Sequence, residues 1–379
     1  MDLRYGMNPH LDARVVSGAH DGPAKVCHGE PSYINLLDAL SGWQLVRDAS
    51  IAMGKAVAAS FKHVSPAGAA AVGPLDATAC ESWGIDSTAG PLVSAYLRAR
   101  DADPKSSFGD MIAVSEPVDA ELADLLSRVV ADGIIAPGFD TGTVGVLARK
   151  KRGTFLVLEA DPAFQQPEWE RRDVFGLVVE QQRDRTPVIA DLLAPAKVAP
   201  DKVIDALLGL VTMRYTQSNS VAVVKDGMTL GIGAGQQNRV DCVRLAASKV
   251  RTWWLRRHDV VRSLPHVTDM SRQERLNWQI RLADTDMTAA QLTEFARLFP
   301  GVTSRLTESA RSDWVGQLDH LTLVSDGFLP FRDNIDHASR IGVRHVVEPG
   351  GSSRSDEVAT ACAEYGITLT RTGLRLFHH

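Results

Sequence analysis

The stretch VRHVVEPGGSSRSDEVATACAEYGITLT, residues 343 to 370, constrains the fold most. It reads as an apolar strand, a glycine loop, a helix and a second strand, a β-α-β crossover that commits the chain to layers of helices on a sheet. Ser353 or Ser355 is the expected N-cap, and Asp356 and Glu357 fall in the first helical turn, where the macrodipole favours acids. The pattern recurs upstream. AVAASFKH (56 to 63) is expected to be a buried strand that stops at Lys62 and His63, because Ser65, Pro66 and Gly68 supply turn chemistry. DGIIAPG (132 to 138) is a short apolar run closed by Pro137 and Gly138, and SNSVAVVKDGMTLGIGAGQQNRV reads as a hairpin turning at Asp226-Gly227, then a glycine loop and a helix. Val240, Val243, Ala247 and Val250 form that helix's expected buried stripe. Residues 34 to 53 space Ile34, Leu37, Leu40, Leu45 and Ala49 as an amphipathic helix or helix pair, and 202 to 214 reads as another helix.

With 379 residues the chain exceeds the size one core usually fills, so two or three substructures are expected. The expected division is a first α/β part over 1–160, a partly helical connecting region over 161–264, and a second α/β part over 265–379. A net charge of -5 supplies no basic field for nucleic acid, though a local cationic pocket for a small anion is compatible with it. No window approaches the ~18 apolar residues of a membrane span. Cys27, Cys80, Cys242 and Cys362 are scattered without a C-x-x-C pair, which argues against a disulfide framework or thiolate zinc site and for a reduced, cytoplasmic setting.

Several short motifs carry chemistry. Lys62-His63 is either a solvated loop pair or an acid-base and oxyanion-stabilising pair suited to acyl transfer onto a weakly basic amine. Gly231, Gly233 and Gly235 lack the G-x-x-G continuation of a dinucleotide site, and no Walker sequence exists, so a tight turn delivering Gln236, Gln237 and Arg239 is the preferred reading. His28-Gly29-Glu30 matches half of a zinc deaminase signature whose P-C-x-x-C half is missing, so no metal is expected. FLPFRDNID (328 to 336) suits stacking and edge-bonding of a flat heterocycle, or a helix start at Asp333. Arg4-Tyr5 and Arg375 are unremarkable alone.

Together, LRYGMNPH (3 to 10), SFKHVSPAGAA (60 to 70), SSFGD (106 to 110), DGIIAPG, YTQSNSV (215 to 221), GIGAGQQNRV (231 to 240), WWLRRH (253 to 258), FLPFRDNID and LRLFHH (374 to 379) resemble the 5-aminoimidazole-4-carboxamide ribonucleotide (AICAR) transformylase part of the bifunctional purine biosynthesis enzyme, nearest its animal form. The segments occur in family order and span the chain. The resemblance implies two cytidine-deaminase-like α/β/α substructures and formyl transfer from 10-formyltetrahydrofolate to the 5-amino group of AICAR. It implies a catalytic pair at Lys62 and His63. Nucleotide-binding residues would be Arg4, Tyr5, Asn35, Gly109, Asp132, Asn219, Arg239, Phe328 and Arg375, with His379 near the substrate, and folate contacts would be Val240, Asp333 and Ser352. It also implies a homodimer with shared active sites.

Three departures stand out. The chain begins at the RYG motif without the family's N-terminal cyclohydrolase domain, so a separate IMP cyclohydrolase is expected to consume the product. Leu11 and Lys105 replace residues usual near the folate, and the middle region is shorter. Competing readings are a paralogue that formylates a related amino-heterocycle ribonucleotide and a catalytically idle nucleotide sensor.

Overall fold

The computed structural model describes residues 1–16, 22–196, 198–302 and 306–379. Its strands are β1 (Ala24–His28), β2 (Val57–Lys62), β3 (Ser65–Ala71), β4 (Asp110–Val114), β5 (Ala131–Ala136), β6 (Leu156–Ala160), β7 (Trp169–Val174), β8 (Leu177–Gln182), β9 (Val221–Lys225), β10 (Met228–Gly233), β11 (Leu321–Ser325), β12 (Val343–Glu348) and β13 (Thr368–Arg371). Eleven form one mixed sheet in the order β1-β6-β5-β4-β2-β3-β10-β9-β11-β12-β13, and β7-β8 form a separate ribbon.

The order contains a duplication. The β2–β3 hairpin is followed by β4 antiparallel to β2, with β5 and β6 added in parallel. The β9–β10 hairpin is followed by β11 antiparallel to β9, with β12 and β13 added in parallel. The halves join where β3 meets β10 antiparallel. The hairpin 221–233, which the sequence suggests for a connecting region, is thus integral to the second half of the sheet.

Side chains alternate across the sheet as the pleat requires. Ala59, Phe61, Met111, Ala113, Ile135 and Leu158 face the helices Tyr33–Met53 and Pro200–Arg214, which pack on each other and give both halves one common core. Ala58, Ile112, Ile134 and Val157 face the helix Pro91–Ala102 on the other side. Residues 33–53 form one helix opened by a Ser32/Asn35 capping box, with Leu45 and Ala49 buried. Between the helix Arg239–Leu255 and β11 the chain makes a helical excursion (Arg272–Asp284, Ala289–Leu298, Glu308–Val315) around Trp278, Phe295 and Phe299. Among the described residues no helix is long and apolar enough to cross a membrane.

Two local expectations are corrected. The strand ending at Lys62 does not turn on Ser65, Pro66 and Gly68; these lie in β3, and the turn is His63-Val64. Gly68 serves packing instead, since a Cβ there would overlap the Ala99 carbonyl oxygen and stand 2.8 Å from Ala102 Cβ, so its absence lets the helix Pro91–Ala102 lie close. Neither Ser353 nor Ser355 caps the helix Ser355–Glu364: Arg354 holds the N-cap position without a side-chain bond, and Ser352 Oγ accepts the Arg354 amide at 3.1 Å. Asp356 and Glu357 do sit in the first turn.

Candidate active site

Strand directions bring the candidate residues to one edge of the sheet. There β2 ends, β4 and β5 begin, β9 begins, and β10, β11, β12 and β13 end. Lys62-His63, Gly109, Asp132, Asn219, Phe328, Ser352 and Arg375 therefore lie along this edge. The helix Tyr33–Met53 starts there too, carrying Asn35 in its first turn. Arg4 and Tyr5 are tied to that start by the Arg4 amide on the Pro31 carbonyl (3.0 Å) and the Tyr33 amide on the Tyr5 carbonyl (3.0 Å).

A first cluster surrounds the end of β2. Lys62 Nζ donates to the Phe108 carbonyl. A Cβ on Gly109 would stand 3.6 Å from Lys62 Nζ and 3.8 Å from Asp132 Oδ1, so these three residues converge, and Asp132 pairs with Lys151 Nζ at 2.7 Å. His63 and Val64 have φ of 53° and 58° in a two-residue turn, and His63 is exposed. A type I′ hairpin turn requires positive φ at both positions, which favours glycine and asparagine; a valine there is strained on the order of 1–3 kcal/mol. Asp38, 6% exposed, accepts the Val64 amide on Oδ1 at 2.6 Å. Burial pushes its carboxyl up to about 6, opposed by the Val64 hydrogen bond and the nearby His63.

A second cluster surrounds the start of β9 and the end of β11. Arg239 is buried, and its guanidinium donates to the Asp326 carboxylate, to Ser325 Oγ (3.1 Å) and to Asn219 Oδ1 (2.7 Å). Asn219 Nδ2 in turn donates to the Gln236 carbonyl at 2.9 Å. Arg239 thus organises the loop carrying Asn219, while Arg375 is exposed over the Phe377 ring at 4.7 Å. Gly327 lies beside both side chains: a Cβ there would stand 2.5 Å from Arg239 Nη2 and 2.7 Å from Phe377, so a larger residue would make these side chains shift. His379 closes the segment, its terminal oxygen accepting from Arg172.

Flanking this cluster, Phe328 and Phe331 are exposed, Arg354 lies 4.9 Å from the Phe331 ring, Asp333 opens the helix Asp333–Ser339, and Val240 follows Arg239 half-buried. Exposed rings beside a carboxylate suit stacking and edge hydrogen bonding of a flat heterocycle. Lys105 lines a separate cavity of about 350 Å³ with Lys249 and Asp284, beside the helix Arg239–Leu255.

Other motifs resolve differently. Gly231 and Gly233 lie in β10, where a Cβ would overlap the Ala246 and Cys242 carbonyl oxygens, so they admit the helix behind the strand; Gly235, at φ 68°, makes the turn. His28 Nε2 meets the Gly153 carbonyl at 2.9 Å, and among the described residues no cluster of three or more His, Cys, Asp or Glu could hold a metal. Sequence reasoning missed Asp38, Lys151, Asp326 and Phe377. Asp38 carried a signal, an acid inside the apolar run LLDAL; the others depend on non-local contacts.

A family model described as the AICARFT/IMPCHase bienzyme matches residues 1–249. Bifunctional purine biosynthesis protein PurH of Roseobacter denitrificans is 31% identical over 387 residues, covering 100% of this chain and 59% of that protein. The protein of the same name from Cereibacter sphaeroides is 31% identical over 385 residues with the same coverage, and that of Elusimicrobium minutum 28% over 382 residues, 58% of its length. The chain therefore spans somewhat more than half the length of these relatives.

Proposed function

This chain belongs to the AICARFT/IMPCHase family, and from that premise we propose that it transfers a formyl group from 10-formyltetrahydrofolate to the 5-amino group of AICAR, giving 5-formamidoimidazole-4-carboxamide ribonucleotide in purine biosynthesis. The observation that carries the reading is the Lys62-His63 pair at a strand end, its lysine converging with Gly109 and Asp132 on the edge that also carries Asn219 and Arg375. The amine of AICAR is delocalised toward its carboxamide and is a poor nucleophile. It must lose a proton as its nitrogen bonds to the formyl carbon, and exposed His63 is the base for that proton. Lys62, steered by the Phe108 carbonyl, donates to the formyl oxygen and then supplies the proton needed by the departing nitrogen. When bound, the folate supplies the formyl carbon and N10 as leaving nitrogen, and the donor site is assigned to Val240, Asp333 and Ser352. Arg4, Tyr5, Asn35, Asn219, Phe328 and Arg375 are assigned to AICAR, with His379 beside it; Arg375 suits the phosphate as a guanidinium fork. Arg239 is assigned to hold Asn219 in place.

The duplicated strand order supports two cytidine-deaminase-like halves. A homodimer is supported by the β7–β8 ribbon, where Trp169, Phe175, Leu177 and Val178 are exposed at 50%, 107%, 69% and 65%. A lone two-stranded ribbon is marginal in water, and apolar side chains on it call for a covering surface. The two clusters, separated by β3 and β10, lie about 14 Å apart at ordinary strand spacing, which leaves room for a partner to complete each one. The test is mass-spectrometric detection of the formamido product from AICAR and 10-formyltetrahydrofolate. AICAR binding without product would transfer the assignment to another acceptor or to a sensor.

A further inference from the structure

We infer that Asp38 is the positioning residue of the His63 base, its buried carboxylate pinning the two-residue turn that presents the imidazole. The inference rests on the formyl-transfer reading above for its kinetic consequence and on geometry alone for its structural one. His63 and Val64 both hold positive φ, 53° and 58°, without a glycine, and Val64 is β-branched, so the turn's own preferences oppose its conformation. Asp38 reaches it from a different element, the helix Tyr33–Met53, and accepts the Val64 amide on Oδ1 at 2.6 Å. Asp38 is 6% exposed and faces the His63-Val64 turn. The charged groups around it are His63 and Lys62 from the hairpin and Asp132 from β5, itself paired with Lys151. A carboxylate held in this company, near neutral pH and bonded to the backbone beside the base, fixes where the imidazole points without touching substrate. The device also explains how KHVS, with no glycine, makes this turn.

The test uses the full chain, with kcat and KM for AICAR measured separately and hydrogen exchange read at the Val64 amide. Asp38→Ala is expected to lower kcat by about tenfold or more while KM changes little, because the lost interaction acts only on the placement of the base. Val64→Gly added to Asp38→Ala is expected to restore most of the loss, since glycine takes positive φ without strain; a merely structural role for Asp38 would show no such rescue. The Val64 amide is expected to exchange at least about tenfold faster in Asp38→Ala than in wild type, while amides of β11 and β12 keep their protection. Unchanged kcat together with unchanged Val64 exchange overturns the inference, as does a lowered kcat that Val64→Gly does not restore. If the wild type shows no turnover, the formyl-transfer reading fails, and the Val64 exchange alone decides for or against the pinning. If Asp38→Ala does not fold, isosteric Asp38→Asn carries the same test: faster Val64 exchange and rescue by Val64→Gly support the inference, and values identical to wild type overturn it.

Discussion

Asp326→Ala probes how the second cluster is held. Asp326 is fully buried at the end of β11, where its carboxylate accepts from the Arg239 guanidinium, from Ser218 Oγ and from the Ser220 amide at 3.0 Å. Removing it leaves the Arg239 charge, 6% exposed, without its counterion. Breaking a buried pair by deleting one partner costs about 3–5 kcal/mol. With an unfolding entropy of about 2.1 cal/mol/K per residue, 379 residues give about 0.8 kcal/mol/K, so the melting temperature should fall by about 4–6 °C. Arg239 also anchors Asn219 at 2.7 Å, so AICAR binding by isothermal titration should weaken in the folded variant as that loop loses its anchor. Differential scanning calorimetry with titration reads both effects. A melting shift below about 1 °C with unchanged AICAR affinity would refute the view that Arg239 and Asp326 form the buried frame of the site.

Further outcomes follow from the same contacts. Gly68→Ala drives a Cβ into the Ala99 carbonyl oxygen and should destabilise by about 1–3 kcal/mol in a urea titration, the usual range for overpacking. Burial lowers His345 to about 4, so between about pH 6.5 and 4 the unfolded chain binds a proton that the folded chain refuses. Wild-type stability relative to His345→Gln should therefore fall with decreasing pH across that window, by up to about 1.4 kcal/mol per pH unit. Asp38, raised to about 6 by burial, acts in the opposite sense between its ordinary value and 6, so the difference between the two proteins is the informative quantity. Phe175→Asp with Val178→Asp should convert a dimer to monomers in sedimentation velocity, and an unaltered sedimentation coefficient would remove the ribbon from the interface.

What the sequence disclosed depended on whether a signal was local. The Asp226-Gly227 turn was legible because both residues tolerate the positive φ (52° and 69°) that a type I′ hairpin demands. The His63-Val64 turn was not, because its stabilising partner, Asp38, lies 26 residues away in another element. Pro66 and Gly68 looked like turn residues but belong to a strand whose glycine admits a helix, and Gly231 and Gly233 behave the same way. Periodicity located the helices 33–53 and 200–214, though the first also contacts a neighbouring helix and so buries more than one stripe. The ribbon Trp169–Gln182 had a signal in Phe175-Gly176, obscured by the charges in WERRD. Lys62-His63, Arg239 and FLPFRDNID carried a chemical signal of their own, while Arg4, Tyr5, Asn35, Gly109, Asp132, Asn219, Ser352, Arg375 and His379 were readable only through resemblance; what the structure adds is the edge on which they lie and the buried acids, Asp38 and Asp326, near them.

The central claim is that the exposed imidazole at the end of β2 drives formyl transfer. The most direct measurement is spectrophotometric tetrahydrofolate release from 10-formyltetrahydrofolate and AICAR, with wild type, His63→Ala and Lys62→Ala compared after each is shown to bind AICAR. The account predicts turnover in the wild type and a fall of about two to four decades in each variant, the usual contribution of a positioned base or oxyanion donor. Turnover by His63→Ala at the wild-type rate, or none by a wild-type protein that binds both substrates, would contradict it.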